Sequence, residues 1–174
     1  MLYVLCRPSL GDALDRIEAF RRVHEPERAK LVPAHITLVF GVTSVSADEL
    51  MTLASEAVAD TGPFAVSLAH AATFEDPASG EHKLFLMVDR GADRLTQLHE
   101  RLYAGMVVTE RRAAIPFRPH ITVATSRSRD VICAAHLEVG QVLPVHGCIE
   151  TLSVVALRAG AITPIADLRF GRGS

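Results

Sequence analysis

Two stretches of the chain decide its fold, Pro33-Ala34-His35-Ile36-Thr37-Leu38-Val39-Phe40 and Arg118-Pro119-His120-Ile121-Thr122-Val123-Ala124-Thr125. Both contain His-Ile-Thr followed by an aliphatic residue, shortly after a proline. Each stretch is rich in β-branched residues and is bounded by turn-forming residues, which predicts a short strand. The sequence therefore carries the same strand motif twice.

Alternation along a strand separates the polar from the apolar residues of each motif. Because successive side chains point to opposite faces, His35 shares one face with Thr37, while Ile36 lies on the other. The same holds for His120 and Thr122. One face thus presents an imidazole and a hydroxyl roughly 7 Å apart, and the opposite face is apolar enough to pack on a core.

The spacing of the two motifs predicts two similar lobes. The histidines are 120 − 35 = 85 positions apart in a chain of 174 residues, which is about half its length. We expect each lobe to contribute one His-x-Thr to a shared cleft. No linker, charge block or low-complexity segment divides the chain, so we expect one bilobal domain over residues 1–174.

Composition sets the class of protein and limits its partners. With 49% hydrophobic and 22% charged residues, the chain is expected to be globular. Its net charge of −2 gives no general basic field for a long nucleic acid. No run approaches the ~18 apolar residues that span a bilayer, which predicts a soluble cytoplasmic protein without a membrane partner. The three cysteines form no C-x-x-C pair and are expected to be reduced and buried.

Hydrophobic periodicity predicts an α+β protein with helices packed against antiparallel sheets. Ser9 with Asp12, and Ser46 with Glu49, resemble capping boxes at two helix starts. Glu25-Pro26 is expected to end the first helix. The predicted strands cover about 2–6, 34–40, 64–68, 84–88, 117–124, 150–157 and 162–170, and the predicted helices cover about 10–24, 46–59, 95–106 and 130–137. Residues 75–80 are expected to form a loop and 140–144 a turn.

The residue types of the motif suit phosphodiester chemistry. Histidine has an unperturbed pKa of about 6.5, so two imidazoles on opposite sides of one substrate can act as general base and general acid. Threonine hydroxyls can donate to the nonbridging oxygens, where charge increases in the transition state. Arg118 lies two residues before His120, hence on the same strand face, and is a candidate phosphate contact; the alternative is a solvated strand end.

These residues resemble a known family. The paired His-Ile-Thr motifs, with Phe-Arg-Pro-His-Ile-Thr-Val at 117–123, are similar to those of the two-histidine phosphoesterase superfamily, which includes 2',5' RNA ligase-like proteins and cyclic nucleotide phosphodiesterases. The resemblance implies a bilobal fold in which two antiparallel sheets, flanked by helices, are related by pseudo-twofold symmetry around a central cleft. It also implies roles for site residues: His35 and His120 as acid and base, Thr37 and Thr122 as phosphate contacts, and Phe40 or Phe85 as an aromatic partner.

One departure from the family narrows the expected substrate. Ala124, Thr125 and Ser126 stand where the ligase-like branch often has an arginine soon after the second motif, and Arg127 comes next. Together with the acidic net charge, this favours a small nucleotide or an oligonucleotide end as the partner of a monomeric protein. Phe85 lies in an apolar run, so a core position is the alternative to a stacking role.

The sequence predicts a metal-independent phosphodiesterase acting on 2',5' linkages or 2',3'-cyclic phosphates of small RNA-derived substrates, without a cofactor. No two histidines are spaced as local metal ligands, and phosphate-loop, dinucleotide-binding and serine-hydrolase motifs are missing. Three alternatives stay open: a non-catalytic nucleotide or RNA-end binding module, a 2',5' RNA ligase, and a hydrolase with a metal held by distant ligands. The other histidines are expected to be surface or structural residues: His24, His70, His82, His99, His136 and His146.

Overall fold

The computed structural model describes residues 1–104 and 116–171. Eight strands lie in this part of the chain: β1 (Leu2–Cys6), β2 (Ile36–Val42), β3 (Phe64–Glu75), β4 (His82–Val88), β5 (His120–Ser126), β6 (Val145–Ile149), β7 (Thr151–Arg158) and β8 (Ala161–Arg169). Five helices accompany them: α1 (Asp12–His24), α2 (Pro26–Leu31), α3 (Ala47–Ala59), α4 (Ala92–Ala104) and α5 (Arg129–Val139). None of these helices is long and apolar enough to cross a membrane.

The strands form two four-stranded antiparallel sheets, each with a motif strand at its edge. In the first, called the His35 sheet, the order is β2-β1-β7-β8. In the second, called the His120 sheet, the order is β5-β4-β3-β6. This arrangement confirms the predicted α+β fold with two antiparallel sheets flanked by helices.

The two halves of the chain have the same order of elements and exchange one strand. The first half runs β1-α1-β2-α3-β3, and the second runs β4-α4-β5-α5-β7, with α2, β6 and β8 as additions. In each half, the first two strands pair with each other. The third strand pairs in the sheet of the other half, so β3 lies beside β4 and β7 lies beside β1. The pseudo-twofold relation between the lobes therefore includes this exchange.

Burial follows the alternation predicted for the motif strands. Ile36 and Leu38 are 1% exposed, and Ile121 and Val123 are 0% exposed, whereas the motif histidines are half-buried on the opposite face. One hydrophobic cluster joins both sheets and the apolar sides of the helices. The core thus fixes one face of each motif strand and leaves the other for the cleft.

The two sheets are joined where the chain leaves β1. Ser9 makes an isolated antiparallel bridge with Cys148 of β6, in which Ser9 N donates to Cys148 O at 2.9 Å and Cys148 N donates to Ser9 O at 3.1 Å. Beside this bridge, a Cβ on Gly147 would overlap the Ser9 carbonyl oxygen. The His35 sheet and the His120 sheet therefore touch through backbone at a position that admits no side chain.

Some local predictions were wrong. Glu25-Pro26 ends α1 at His24 as predicted, but an unpredicted helix follows directly, because Pro26 is the first residue of α2, where the missing N–H of proline costs no hydrogen bond. The N-cap of α1 is Gly11, without a side-chain cap, and not Ser9. β3 continues to Glu75, and β6 was not predicted. Cys133 is exposed and Cys148 half-buried, so only Cys6 is the buried thiol expected.

Other local predictions were confirmed. Ser46 and Glu49 form a complete capping box, because the Ser46 hydroxyl accepts from Glu49 N while the Glu49 carboxylate accepts from Ser46 N. Leu95, Leu98 and Leu102 form the buried side of α4. The expected end of that helix at Met106 lies outside the described residues.

Candidate functional site

The two motif histidines have the same hydrogen bond. Nδ1 of His35 donates to the Pro33 carbonyl at 2.8 Å, and Nδ1 of His120 donates to the Arg118 carbonyl at 2.6 Å. A carbonyl oxygen only accepts, so Nδ1 carries the proton in each neutral ring. Nε2 of each ring then holds a lone pair and is the atom available for proton transfer.

The two motif strands face each other. Residues of β2 and β5 approach within 8 Å between Cα atoms although they belong to different sheets. The charge of His120 also contributes to lowering the pKa of His35, so the two imidazoles are close enough to interact. His35 and His120 therefore lie on neighbouring strands of the two sheets, close enough for their charges to interact.

Both histidines are held in the neutral form near pH 7. Burial lowers the pKa of His35 to about 4, against the opposing effect of the Pro33 hydrogen bond. Nearby positive charges lower this pKa further, with Arg21 and Arg7 contributing. Burial also lowers the pKa of His120, which nearby Lys83 lowers further.

The motif threonines lie on the same strand faces as their histidines. Thr37 and Thr122 are half-buried, and neither hydroxyl is hydrogen-bonded to another residue in the described part of the chain. Alternation along β2 and β5 places them on the cleft side. Arg118 is exposed just before β5, and its backbone carbonyl holds the His120 ring.

An aromatic ring covers one face of His120. Phe85 of β4 stacks on the imidazole with the ring centroids 3.7 Å apart and an interplanar angle of 26°. Its position follows from the sheet register, because Phe85 is paired with Thr122, two residues from His120. Phe74 of β3 stacks on the other side of Phe85 at 5.8 Å, so three rings form a row that ends at an exposed phenyl group.

Phe40 has different surroundings. Its side chain is 50% exposed, and its ring lies edge-on to Tyr3 with centroids 5.5 Å apart. Of the two phenylalanines named from the sequence, Phe85 is the one whose ring stacks on a motif histidine. A substrate contact by Phe40 stays a prediction.

A buried ion network supports the segment before His35. The Glu18 carboxylate accepts from the backbone N–H of Ala34 at 2.5 Å, and Arg21 Nη2 donates to the Val32 carbonyl at 3.1 Å. Arg21 also donates to Glu18 and, through Nε at 2.6 Å, to Glu25. The network therefore fixes the backbone that carries the first histidine.

The same network reaches the second motif strand. Thr125, near the end of β5, donates to Glu25 at 3.4 Å. Burial raises the pKa of Glu25, while Arg21 acts in the opposite direction. Sequence reasoning missed these residues of α1, although Arg21 follows the buried Ile17 by four positions and so lies on the apolar side of the helix.

Two further cations near the cleft were also missed. Arg7 follows β1 and lowers the pKa of His35, and Lys83 of β4 lowers the pKa of His120. Lys83 is paired with Asp76 at 2.6 Å. Alternation along the first strand could have revealed the position of Arg7, because Tyr3, Leu5 and Arg7 share one face of that strand.

Within residues 1–104 and 116–171, no three histidine, cysteine or acidic side chains are grouped as a metal site.

The fold agrees with comparisons with known proteins. The profile described as the 2'-5' RNA ligase superfamily matches residues 8–161. The chain belongs to this superfamily of two-histidine phosphoesterases. No curated protein matches its sequence.

Solved structures share the fold of this superfamily member. The apo form of E. coli LigT has 23% identity and a TM-score of 0.61, with 98% of this chain and 97% of that chain covered. TT0787 of Thermus thermophilus has 20% identity and a TM-score of 0.67, with 99% of each chain covered. Usb1 of Kluyveromyces marxianus has 10% identity and a TM-score of 0.58, with 97% of each covered.

Proposed function

We propose that this superfamily member is a metal-independent phosphodiesterase that acts on 2',5' linkages or 2',3'-cyclic phosphates of small RNA-derived substrates. The observation that carries the proposal is the pair of equivalent imidazoles, each anchored through Nδ1 and each with Nε2 available, on strands that face one cleft. Phosphodiester hydrolysis needs two such groups, because the attacking water loses a proton and the leaving oxygen gains one.

His35 is the histidine that we assign as the base. His35 has its pKa lowered to about 4 and is neutral over a wide range of pH, so it takes the proton from the attacking water through Nε2. His120 in its protonated form gives a proton to the leaving ribose oxygen. The P–O bond to water forms, the P–O bond to the leaving oxygen breaks, and the product is a phosphomonoester.

The hydroxyl neighbours stabilise the charge that develops. Thr37 and Thr122 donate to the nonbridging oxygens, and Arg118 adds a positive charge from the strand end. Phe85 keeps water from one face of His120 and orients its ring. These roles for His35, His120, the threonines and Arg118 form one constellation around the scissile phosphate.

The solved relatives support a small substrate. E. coli LigT has been crystallised with 3'-AMP, with ATP, with NADP+ and with phosphate. We infer that this chain likewise takes a small nucleotide or an oligonucleotide end, as a monomer in the cytoplasm.

Replacing each histidine tests the proposal. His35→Ala and His120→Ala are each expected to reduce kcat for a 2',3'-cyclic nucleotide or a 2',5'-linked dinucleotide by roughly 10²- to 10⁴-fold. His136→Ala, on the exposed side of α5, is the matched control and should keep full activity. Circular dichroism and thermal melting verify that each variant is folded. Retained activity in both motif variants would refute the assignment.

Two further measurements separate the alternatives. Chelation with EDTA should leave the rate unchanged if two imidazoles carry the proton transfers, and a loss restored by added metal would indicate a metal-dependent hydrolase. Incubation with a panel of cyclic nucleotides and 2',5' dinucleotides separates an enzyme from a binding module, since the latter binds without product. Joining of RNA ends by the same histidines would indicate the ligase activity.

A further inference from the structure

One row of side chains crosses the cleft face of the His35 sheet. The last pairs of β1 are Cys6 with Ile36 and Cys6 with Leu152, so Arg7 is the next residue along and stands between His35 and Thr151. Thr151 in turn is paired with Arg169 of β8. Residues directly opposite each other in an antiparallel sheet point to the same side. The row therefore reads His35, Arg7, Thr151, Arg169.

Arg7 has an unmet hydrogen-bonding requirement. Its Nε is buried, and no residue in the described part of the chain accepts from it. Its charge lowers the pKa of His35, which agrees with the position derived from the register. A buried donor without a partner is costly, more so on a charged group, and is a position where a bound molecule can supply the acceptor.

Arg169 supplies a second guanidinium further along the row. Its side chain is exposed at the end of β8. Adjacent strands are about 4.8 Å apart, so β1 and β8 are separated by about 10 Å, with Thr151 of β7 between them. An anion above Thr151 is within reach of both arginine side chains, whose planar forks suit phosphate.

The acidic residue on the same face of β8 as Arg169 is engaged elsewhere. Asp167 lies on the same face of β8, but two residues from Arg169 and therefore roughly 7 Å along the strand. Its carboxylate accepts a hydrogen bond of 2.6 Å from Ser153 of β7. Asp167 thus belongs to the adjacent row and leaves the position above Thr151 to the two arginines.

We propose that Arg7 and Arg169 form a second phosphate subsite, which takes a terminal phosphate monoester of the substrate. The inference rests on the proposed function, because the subsite is defined by its distance from His35. Thr151 is two strands from β2, about 10 Å, which is of the order of one nucleotide unit. The preferred substrate is therefore a short oligonucleotide whose end carries a phosphate beside the scissile diester.

Binding to two matched dinucleotides tests the subsite. The ligands are 2',5'-linked diadenylate with and without a 5'-terminal phosphate, measured by calorimetry in the His120→Ala background so that they stay intact. The phosphorylated ligand should bind at least about tenfold more tightly, as expected for charge-assisted hydrogen bonds. Adding Arg169→Gln or Arg7→Gln should reduce the ratio of the two affinities to about one.

The control is an arginine of the same sheet outside the row. Arg158 is exposed at the other end of β7, and Arg158→Gln makes the same change of charge without altering the predicted ratio. If the Arg7→Gln variant does not fold, the Arg169→Gln variant alone tests the subsite, since the side chain of Arg169 is exposed and its replacement should not affect folding. A ratio near one in the parent protein, or a ratio that Arg169→Gln leaves unchanged, would overturn the subsite.

Turnover by the protein with both histidines intact distinguishes the subsite from the proposed function. If both dinucleotides are hydrolysed with equal kcat/KM, and Arg169→Gln does not change these values, the subsite is rejected while the proposed phosphodiesterase activity is retained. A tenfold binding preference that is lost in Arg169→Gln, with no turnover of either dinucleotide or of a 2',3'-cyclic nucleotide, would retain the subsite and reject the phosphodiesterase.

Discussion

The ring of Phe85 lies on the imidazole of His120 with 3.7 Å between centroids, and this contact joins an inner strand of the His120 sheet to the candidate proton-transfer group at its edge. It excludes water from one face of the ring, and burial is the first cause of the lowered pKa of His120. The packing of Phe85 against the imidazole therefore contributes to the lowered pKa of His120.

Removing this ring should raise the pKa of His120. In Phe85→Ala, water reaches the imidazole and stabilises its charged form, so the pKa moves towards the ordinary value of about 6.5. NMR titration of the His120 ring protons measures the change. Phe74→Ala removes the ring on the far side of Phe85 and should have a smaller effect. An unchanged His120 pKa in Phe85→Ala would show that burial comes from other groups.

The pH dependence of activity should be bell-shaped with an acidic maximum. For kcat/KM the free-enzyme pKa values apply. The rising limb belongs to His35, which becomes neutral and able to accept a proton above about pH 4. The falling limb belongs to His120, which loses its proton at a pKa below 6.5. A maximum on the alkaline side of neutrality would contradict this assignment of base and acid.

Stability should decrease when the pH falls through the same range. A histidine with a lowered folded-state pKa binds fewer protons when folded than when unfolded, so acidification from about 6.5 to about 4 favours the unfolded chain. Urea unfolding at several pH values measures this slope. Replacing His35 with glutamine should flatten it, since glutamine does not titrate. A slope that His35→Gln leaves unaltered would assign the effect to other groups.

Breaking the buried ion network should destabilise the fold strongly. Arg21→Met leaves the Glu25 carboxylate buried without its main cation and is expected to reduce the free energy of unfolding by ~3–5 kcal/mol. Arg21→Met combined with Glu25→Met should cost less than the sum of the single changes, because no uncompensated charge remains at that pair. Lys30→Ala, which removes an exposed pair with Glu27, should cost no more than ~1 kcal/mol. Chemical denaturation measures all four variants.

A methyl group at Gly147 should disturb the junction of the two sheets. Gly147→Ala would place its Cβ against the backbone of Ser9, which overpacks the junction and is expected to cost ~1–3 kcal/mol. Because the motif strands lie in different sheets, kcat/KM should fall as well. Gly140→Ala has its nearest neighbour at 3.9 Å and is the control without overlap. Equal melting temperatures for the two variants would contradict the steric argument.

Local patterns allowed much of the fold to be predicted. The alternation His35-Ile36-Thr37-Leu38 indicated the strand and its buried face, and Ser46 with Glu49 indicated a helix start. These features depend on residues a few positions apart, whose geometry is set by the backbone itself.

Features that depend on distant pairing were not predictable in the same way. The exchange of β3 and β7, the presence of β6 and the position of Arg7 opposite His35 all follow from sheet register between remote segments. A single sequence records which residues alternate but not which strands become neighbours. The family resemblance supplied the arrangement of the sheets, whereas the α1 network and the arginine row became visible only in three dimensions.

The strand exchange between the halves affects how the protein folds and unfolds. Since β3 completes the sheet of the second half and β7 that of the first, neither half expressed as a separate fragment contains all strands of a finished lobe. We expect the lobes to unfold in a single cooperative transition, and isolated fragments to regain order only when mixed. A partly made polypeptide on the ribosome would accordingly carry His35 long before the strand that bears His120 has been made.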